Sequence, residues 1–257
     1  RAEALAVPLR SGLVSLARTL AEPQPFTPER ASRTFRIASP DLFDALVLPT
    51  LLQRLGQQAP GVDLAVAPTP TRLTDSLETG DVDLAIYPVL LDPHPFDLGT
   101  QVDAELQSRT LFRDSFRCFV RSDHPALASR RLTLKAYARL NHILVSPGGE
   151  GPGVVDRILH ARGLQRRIAL RVPHFATALE VIAQSDLVLT APSSLSQCST
   201  GSTLASRPAP LDIPEHAITM IWHPRFTEDP AHRWLRQLMV DVTNEVPSLP
   251  PKRSRSG

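Results

Sequence analysis

The order of its apolar segments constrains this chain most: short strand-type runs alternate with helical ones, and the alternation occurs twice with a break between. "TFRIAS" (34–39) reads as a strand, "PDLFDALVLPTLLQRLGQQAPG" (40–61) as a helix carrying Pro49, and "VDLAVAP" (62–68) as a second strand. "TRLTDSLETG" (71–80) is a short helix and "VDLAIYP" (82–88) a third strand. Gly61 and Gly80 fall just past their helices, where a left-handed cap suits glycine. After a different stretch at 110–127, one or two strands and a turn, the pattern restarts: helix 132–140, strand 142–146, helix 154–163, strand 167–173, helix 174–185, strand 186–192. The last pieces are a strand at 217–224 and a helix at 229–246, capped by Asp229 with Pro230 in its first position. Such order predicts an α/β fold with parallel sheets and right-handed crossovers.

The 257 residues suffice for one large domain or two compact ones. A net charge of +2 does not by itself argue for nucleic-acid binding. Cys118 and Cys198 are far apart and lack metal-type spacing, which fits a reducing compartment. No apolar run reaches the roughly 18 residues needed to span a bilayer, and the N-terminus lacks the features of a secretory signal. The chain starts at Arg1 rather than Met, leaving room for something upstream. Within residues 1–22, Leu5, Leu9, Leu13, Leu16 and Leu20 form one apolar helical stripe, suited either to the main body or to a second copy of itself. The segment 248–257 reads as a disordered tail.

"HILVSPGGEGPGVVDRILHARG" (142–163) resembles a phosphate cradle in outline, a strand, a glycine turn and a helix. Its glycines, Gly148, Gly149, Gly151 and Gly153, fit neither a dinucleotide fingerprint nor a Walker loop, and no lysine follows. A plain strand-to-helix turn and a cradle for a small polar ligand both remain open. No serine-nucleophile elbow is present, the eight histidines show no zinc-type spacing, and no cofactor or metal is expected. The chain is not expected to be an enzyme. His174 and Phe175 sit where a strand meets a helix, so His174 serves either as a helix cap or as a ligand contact.

Ser39, Thr69, Tyr87 and Ser146 stand at similar strand ends, the edge of an α/β sheet where ligands bind. Two such units facing each other would make a cleft for a small ligand. No arginine is placed unambiguously at one of these turns, so the charge of the ligand stays open.

Several ordered segments carry a family resemblance: "SRTFRIASPD" (32–41), "LVLPTLLQRLGQQAPGVDLAV" (46–66), "LETGDVDLAI" (77–86), "LFRDSFRCFVRSDHPAL" (111–127) and "VPHFATALEVIAQSDLVLTAP" (172–192). Together they resemble the C-terminal, effector-binding part of a LysR-type transcriptional regulator, lacking its N-terminal winged helix-turn-helix domain. "IWHPRFTEDPAHRWLRQL" (221–238) is similar to the subgroup with nodulation and nitroaromatic-responsive regulators. The resemblance implies a dimerisation linker helix (1–22) and two Rossmann-like α/β subdomains joined by two crossover strands, a type 2 periplasmic-binding-protein-like fold. Subdomain I would take 33–112 plus 218–247 and subdomain II 113–217. It further implies a small aromatic or anionic metabolite held between subdomains by Ser39, Thr69, Tyr87, Ser146, Gly149, Pro152, His174 and Phe175. The expected partners are that effector, DNA through the absent domain, and further copies in a homodimer or homotetramer, in the cytoplasm and away from membranes. The rival expectation is a solute-binding protein of a transport system, which shares the two-lobed plan.

Overall fold

Phe35 and Ile37 alternate inward along β1 (Arg33–Ala38), and the strand lies parallel to β2 (Val62–Ala67) over six residue pairs. The computed structural model describes residues 26–91, 103–129, 131–148, 151–198 and 203–245. The leucine-striped segment 1–22, Gly149 and the tail 248–257 lie outside the described residues. β1 also pairs in parallel with β3 (Leu84–Leu90), and β10 (His216–Trp222) runs antiparallel between β3 and β4 (Gln107–Asp114). The first sheet therefore has the order β2-β1-β3-β10-β4.

The second sheet repeats the plan. β6 (Asn141–Val145) is parallel to both β7 (Arg167–Val172) and β8 (Val188–Pro192), while β5 (Phe116–Val120) runs antiparallel between β8 and β9 (Ala205–Pro208). Its order is β7-β6-β8-β5-β9. Both sheets are thus mixed rather than wholly parallel as the alternation predicted. The antiparallel strands are those that flank the crossings between sheets, outward from β4 to β5 through Ser115 alone and back from β9 to β10. β9 was not expected; "ASRP" is short, at the sheet edge and ends in proline, so it carries little strand signal.

Helix α1 (Asp41–Gln58) buries Leu42, Phe43, Val47, Leu51 and Leu55. Pro49 sits within it and removes one intrahelical hydrogen bond, costing about 3 kcal/mol. Each buried large apolar side chain contributes about 1.5–3 kcal/mol, so the packed face outweighs the break. Leu42 belongs to the core of the second sheet, with Phe119, Ile143 and Leu179, whereas Val47, Leu51 and Leu55 belong to that of the first. The N-terminal turn of α1 therefore ties the two cores together.

The short helix α2 (Leu73–Thr79) ends at Gly80, whose φ of 83° supplies the left-handed cap. Gly61 does not: the cap of α1 is Ala59, and Gly61 is required because a Cβ there would stand 2.5 Å from the Ala31 carbonyl oxygen. Helices α3 (Leu134–Ala138), α4 (Val154–His160) and α5 (Phe175–Ala183) serve the second sheet, and α6 (Pro230–Glu245) returns to the first. Asp229 caps α6, accepting from the His232 N–H at 2.8 Å. His232 is fully buried, donates from Nε2 to the Asp83 carbonyl (2.8 Å) and accepts at Nδ1 from Arg236 (2.7 Å), which fixes a neutral tautomer. Burial lowers its pKa to about 4.

Candidate functional site

The parallel strands of both sheets end at one cavity of about 1140 Å³. Ser39 to Asp44, Ala67 to Thr71 and Leu73 form one wall where β1 and β2 end, with Tyr87 from within β3. Val145, Pro147, Gly148, Pro173, His174, Phe175 and Ser194 form the other, following β6, β7 and β8. Phe112, Asp114, Phe116, His216 and Ile218 line it from the crossing strands. Parallel strands align their C-terminal ends on one edge, and helices that start there leave room for a ligand between them.

A side chain from one wall closes a helix of the other. Asp41 Oδ2 accepts from the backbone N–H of Phe175 at 2.6 Å and of Ala176 at 3.3 Å, the first two residues of α5. Asp41 itself opens α1, so this carboxylate satisfies two orphan donors across the cavity and complements the positive end of α5.

Ser39 is buried, takes the Ala67 carbonyl through its N–H at 3.0 Å, and donates its hydroxyl to Asp44. Burial raises the Asp44 carboxyl above its ordinary pKa; the Ser39 hydrogen bond opposes that and the nearby Asp41 charge adds to it.

At the crossing, buried Asp114 accepts from Ser115 N (2.7 Å), Ser193 N (3.0 Å), Ser193 Oγ (2.5 Å) and Ser194 N (3.2 Å). It thereby fastens β4 of the first sheet to the turn after β8 of the second. Opposite it in register stands His216, 4% exposed, with its ring 5.0 Å from that of Phe116. Its Nδ1 has no hydrogen-bond partner. Burial lowers the His216 pKa, against the pull of Asp114 and Glu215.

Of the residues expected from sequence, Ser39, Thr69, Tyr87, His174 and Phe175 line the cavity. Burial raises the pKa of Tyr87. His174 makes no side-chain cap to α5, because Asp41 occupies that role, and its ring stands on the cavity wall. Ser146 and Pro152 are not among the lining residues. Ser146 prolongs the β6–β7 ladder, donating its N–H to Val172 at 2.8 Å, and Pro152 is exposed beyond the rim. Gly149 lies outside the described residues. Their neighbours Pro147 and Gly148 provide this part of the wall.

Among the described residues of the glycine turn, the groups a phosphate cradle would need are engaged or walled in. The Gly153 N–H at the start of α4 donates to Asp156 at 2.7 Å, Arg171 holds the Gly151 carbonyl at 2.8 Å, and a Cβ at Gly153 would meet Leu144 at 2.8 Å. Asp44, Asp114 and His216 were missed because sequence reading searched strand-to-helix turns. Asp114 and His216 flank the crossings, which announce themselves only when both sheets are assembled. Asp44 follows the turn by one helical residue pair and carried no motif.

No group of three or more His, Cys, Asp or Glu able to hold a metal occurs among the described residues. No helix there is long and apolar enough to cross a membrane. Residues 28–244 match the LysR substrate binding domain. The chain belongs to that family. It has the effector-binding domain of a LysR-type transcriptional regulator, with the type 2 periplasmic-binding-like fold.

This LysR-type domain is 32% identical over 244 residues to the HTH-type transcriptional activator NagR of Ralstonia sp, covering 94% of this chain and 77% of NagR. It is 33% identical over 240 residues to the HTH-type transcriptional activator NahR of Pseudomonas putida, covering 93% and 76%. The crystal structure of "probable transcriptional regulator PA0477" from Pseudomonas aeruginosa superposes with a TM-score of 0.74 at 32% identity, covering 93% of this chain and 76% of that one. These relatives are regulators of transcription, which disfavours a transport solute-binding protein.

Proposed function

We propose that this domain senses a small molecule held in the cavity between the two sheets, and that binding changes how the two halves close. One observation carries the reading: both sheets present their strand ends to one cavity, while the backbone crosses between them at Ser115 and between β9 and β10. Two lobes joined by two short crossings can pivot, and a ligand touching both walls favours the closed arrangement by its differential affinity. The contacts we assign are Ser39, Thr69, Tyr87, His174 and Phe175, joined by Asp44 and His216. Ser146 and Pro152 act through the turn that presents Pro147 and Gly148.

The lobes we assign are 33–114 plus 216–245 and 115–215, two residues away from the expected boundaries at 112/113 and 217/218, because β4 runs to Asp114 and β10 starts at His216. In the complete regulator, closure is passed to a DNA-binding domain within a homo-oligomer in the cytoplasm. The domain binds its effector without turning it over. A thermal-shift screen of aromatic acids, phenols and flavonoids tests this, because a ligand selective for the folded state raises the melting temperature. A hit whose stabilisation disappears in Thr69→Trp supports the reading. Stabilisation that survives this filling of the cavity would overturn it, as would conversion of the hit to product.

A further inference from the structure

We propose that the cavity takes an uncharged, ring-bearing molecule with at least one hydroxyl group, and rejects a carboxylate of the same shape. The inference rests on the cavity being the effector site.

Charge on the wall is one-sided. Asp41, Asp44, Asp103 and Asp114 line the cavity, and no Lys or Arg does among the described residues. Nearby arginines are committed elsewhere: Arg72 pairs with Asp75, Arg117 holds Ser206 and Arg171 holds the Gly151 carbonyl. Arg113, between lining residues Phe112 and Asp114 on β4, falls on the opposite face by strand alternation.

Helix N-termini do not supply the missing positive charge. The first two N–H groups of α5 are taken by Asp41, and Asp41 and Asp44 sit in the first turn of α1. An anionic ligand would lose its hydration without gaining a counter-charge and would meet carboxylates at short range. Three of the four carboxylates are already engaged, which weakens their pull on a cation: Asp114 accepts four hydrogen bonds, Asp41 is spent on α5, and Asp44 accepts from Ser39.

What the wall does offer suits a neutral molecule. Phe43, Phe112, Phe116, Phe175 and Tyr87 present ring faces or edges. His216 brings a buried ring whose Nδ1 has no partner, and an unmet buried polar atom is relieved by a ligand hydroxyl. Asp44 accepts from Ser39 through Oδ1, leaving Oδ2 for a hydroxyl donor. The cavity, at about 1140 Å³, has room for more than one ring; ligand pockets are commonly about 300–1,000 Å³.

Four probes of one shape test this by calorimetry on the domain: 4-hydroxybiphenyl, biphenyl-4-carboxylate, 4-phenylbenzylamine and biphenyl. The hydroxyl probe should bind at least about tenfold more tightly than the carboxylate and the amine. His216→Phe should lower its affinity toward that of biphenyl, and Thr69→Trp should abolish binding. A carboxylate or amine that binds as well as the hydroxyl probe overturns the charge inference and leaves the cavity as the site. Binding unaffected by Thr69→Trp overturns the site itself. If none of the four binds, the proposed ligand class is wrong.

Discussion

Replacing Asp41 with alanine removes the carboxylate that closes α5 from across the cavity. The two N–H groups it holds, Phe175 at 2.6 Å and Ala176 at 3.3 Å, then have only water to bond. Losing a helix cap of this kind costs about 0.5–2 kcal/mol. The lost charge at the helix N-terminus adds about 0.3–1 kcal/mol, with the lower part apt for a half-exposed carboxylate. A total of about 1–2 kcal/mol is expected, or roughly 2–8 °C in melting temperature for a chain of this size. Asp41→Asn should recover part of the loss, because an amide oxygen still accepts but carries no charge. Calorimetry and amide exchange together are diagnostic. Phe175 and Ala176 should lose protection while the interior of α5 keeps it, and the radius of gyration should rise as the lobes separate. Unchanged exchange at both amides in Asp41→Ala would refute the latch.

Stability should fall with acid because of two buried histidines. His142 and His232 are neutral in the fold, each with a pKa lowered from 6.5 to about 4, chiefly by burial. Their contribution is complete above the unfolded value near 6.5 and is lost as pH falls toward 4; at pH 5 each costs about 2 kcal/mol. Denaturant titrations at pH 7.5 and 5 measure it, and His142→Gln should flatten the slope; an unchanged slope would contradict the assignment. Gly56→Ala should stabilise by about 0.5–1 kcal/mol, since Gly56 lies in α1 with nothing within 4 Å of a Cβ. Gly61→Ala should destabilise, since its Cβ would collide with the Ala31 carbonyl; denaturation midpoints of the pair should move in opposite directions. Phe119→Ala, at a fully buried position on β5 of the second sheet, should cost about 3–5 kcal/mol by denaturant titration.

The repeating units were legible because their strands are short apolar runs and their helices are amphipathic. Asp229 and Pro230 marked a helix start, and Gly80 a helix end, through local backbone chemistry that needs no tertiary context. Gly61 looked the same in sequence, yet its reason is the approach of Ala31, which only folding brings near. The direction of β5 and β10 was hidden for a related cause. A strand's own residues state that it is half-buried, not which neighbours it will run against.

The cavity was legible by half. Ser39 and Thr69 follow parallel strands, so strand order alone placed them on one edge, whereas Tyr87 reaches the cavity from within β3. Asp114 and His216 reach it from the crossing strands, 102 positions apart in sequence but opposite each other in register. Asp41 was visible at the start of a helix, where a carboxylate ordinarily serves its own turn. Its actual partner is α5, more than 130 residues away.

The central claim, that one ligand bridges both walls, is tested most directly by hydrogen exchange with and without a hit from the thermal-shift screen. Binding should slow exchange together in segments 39–44, 67–74 and 173–177, which belong to opposite walls. Protection confined to one wall, or appearing away from the cavity, would contradict the account.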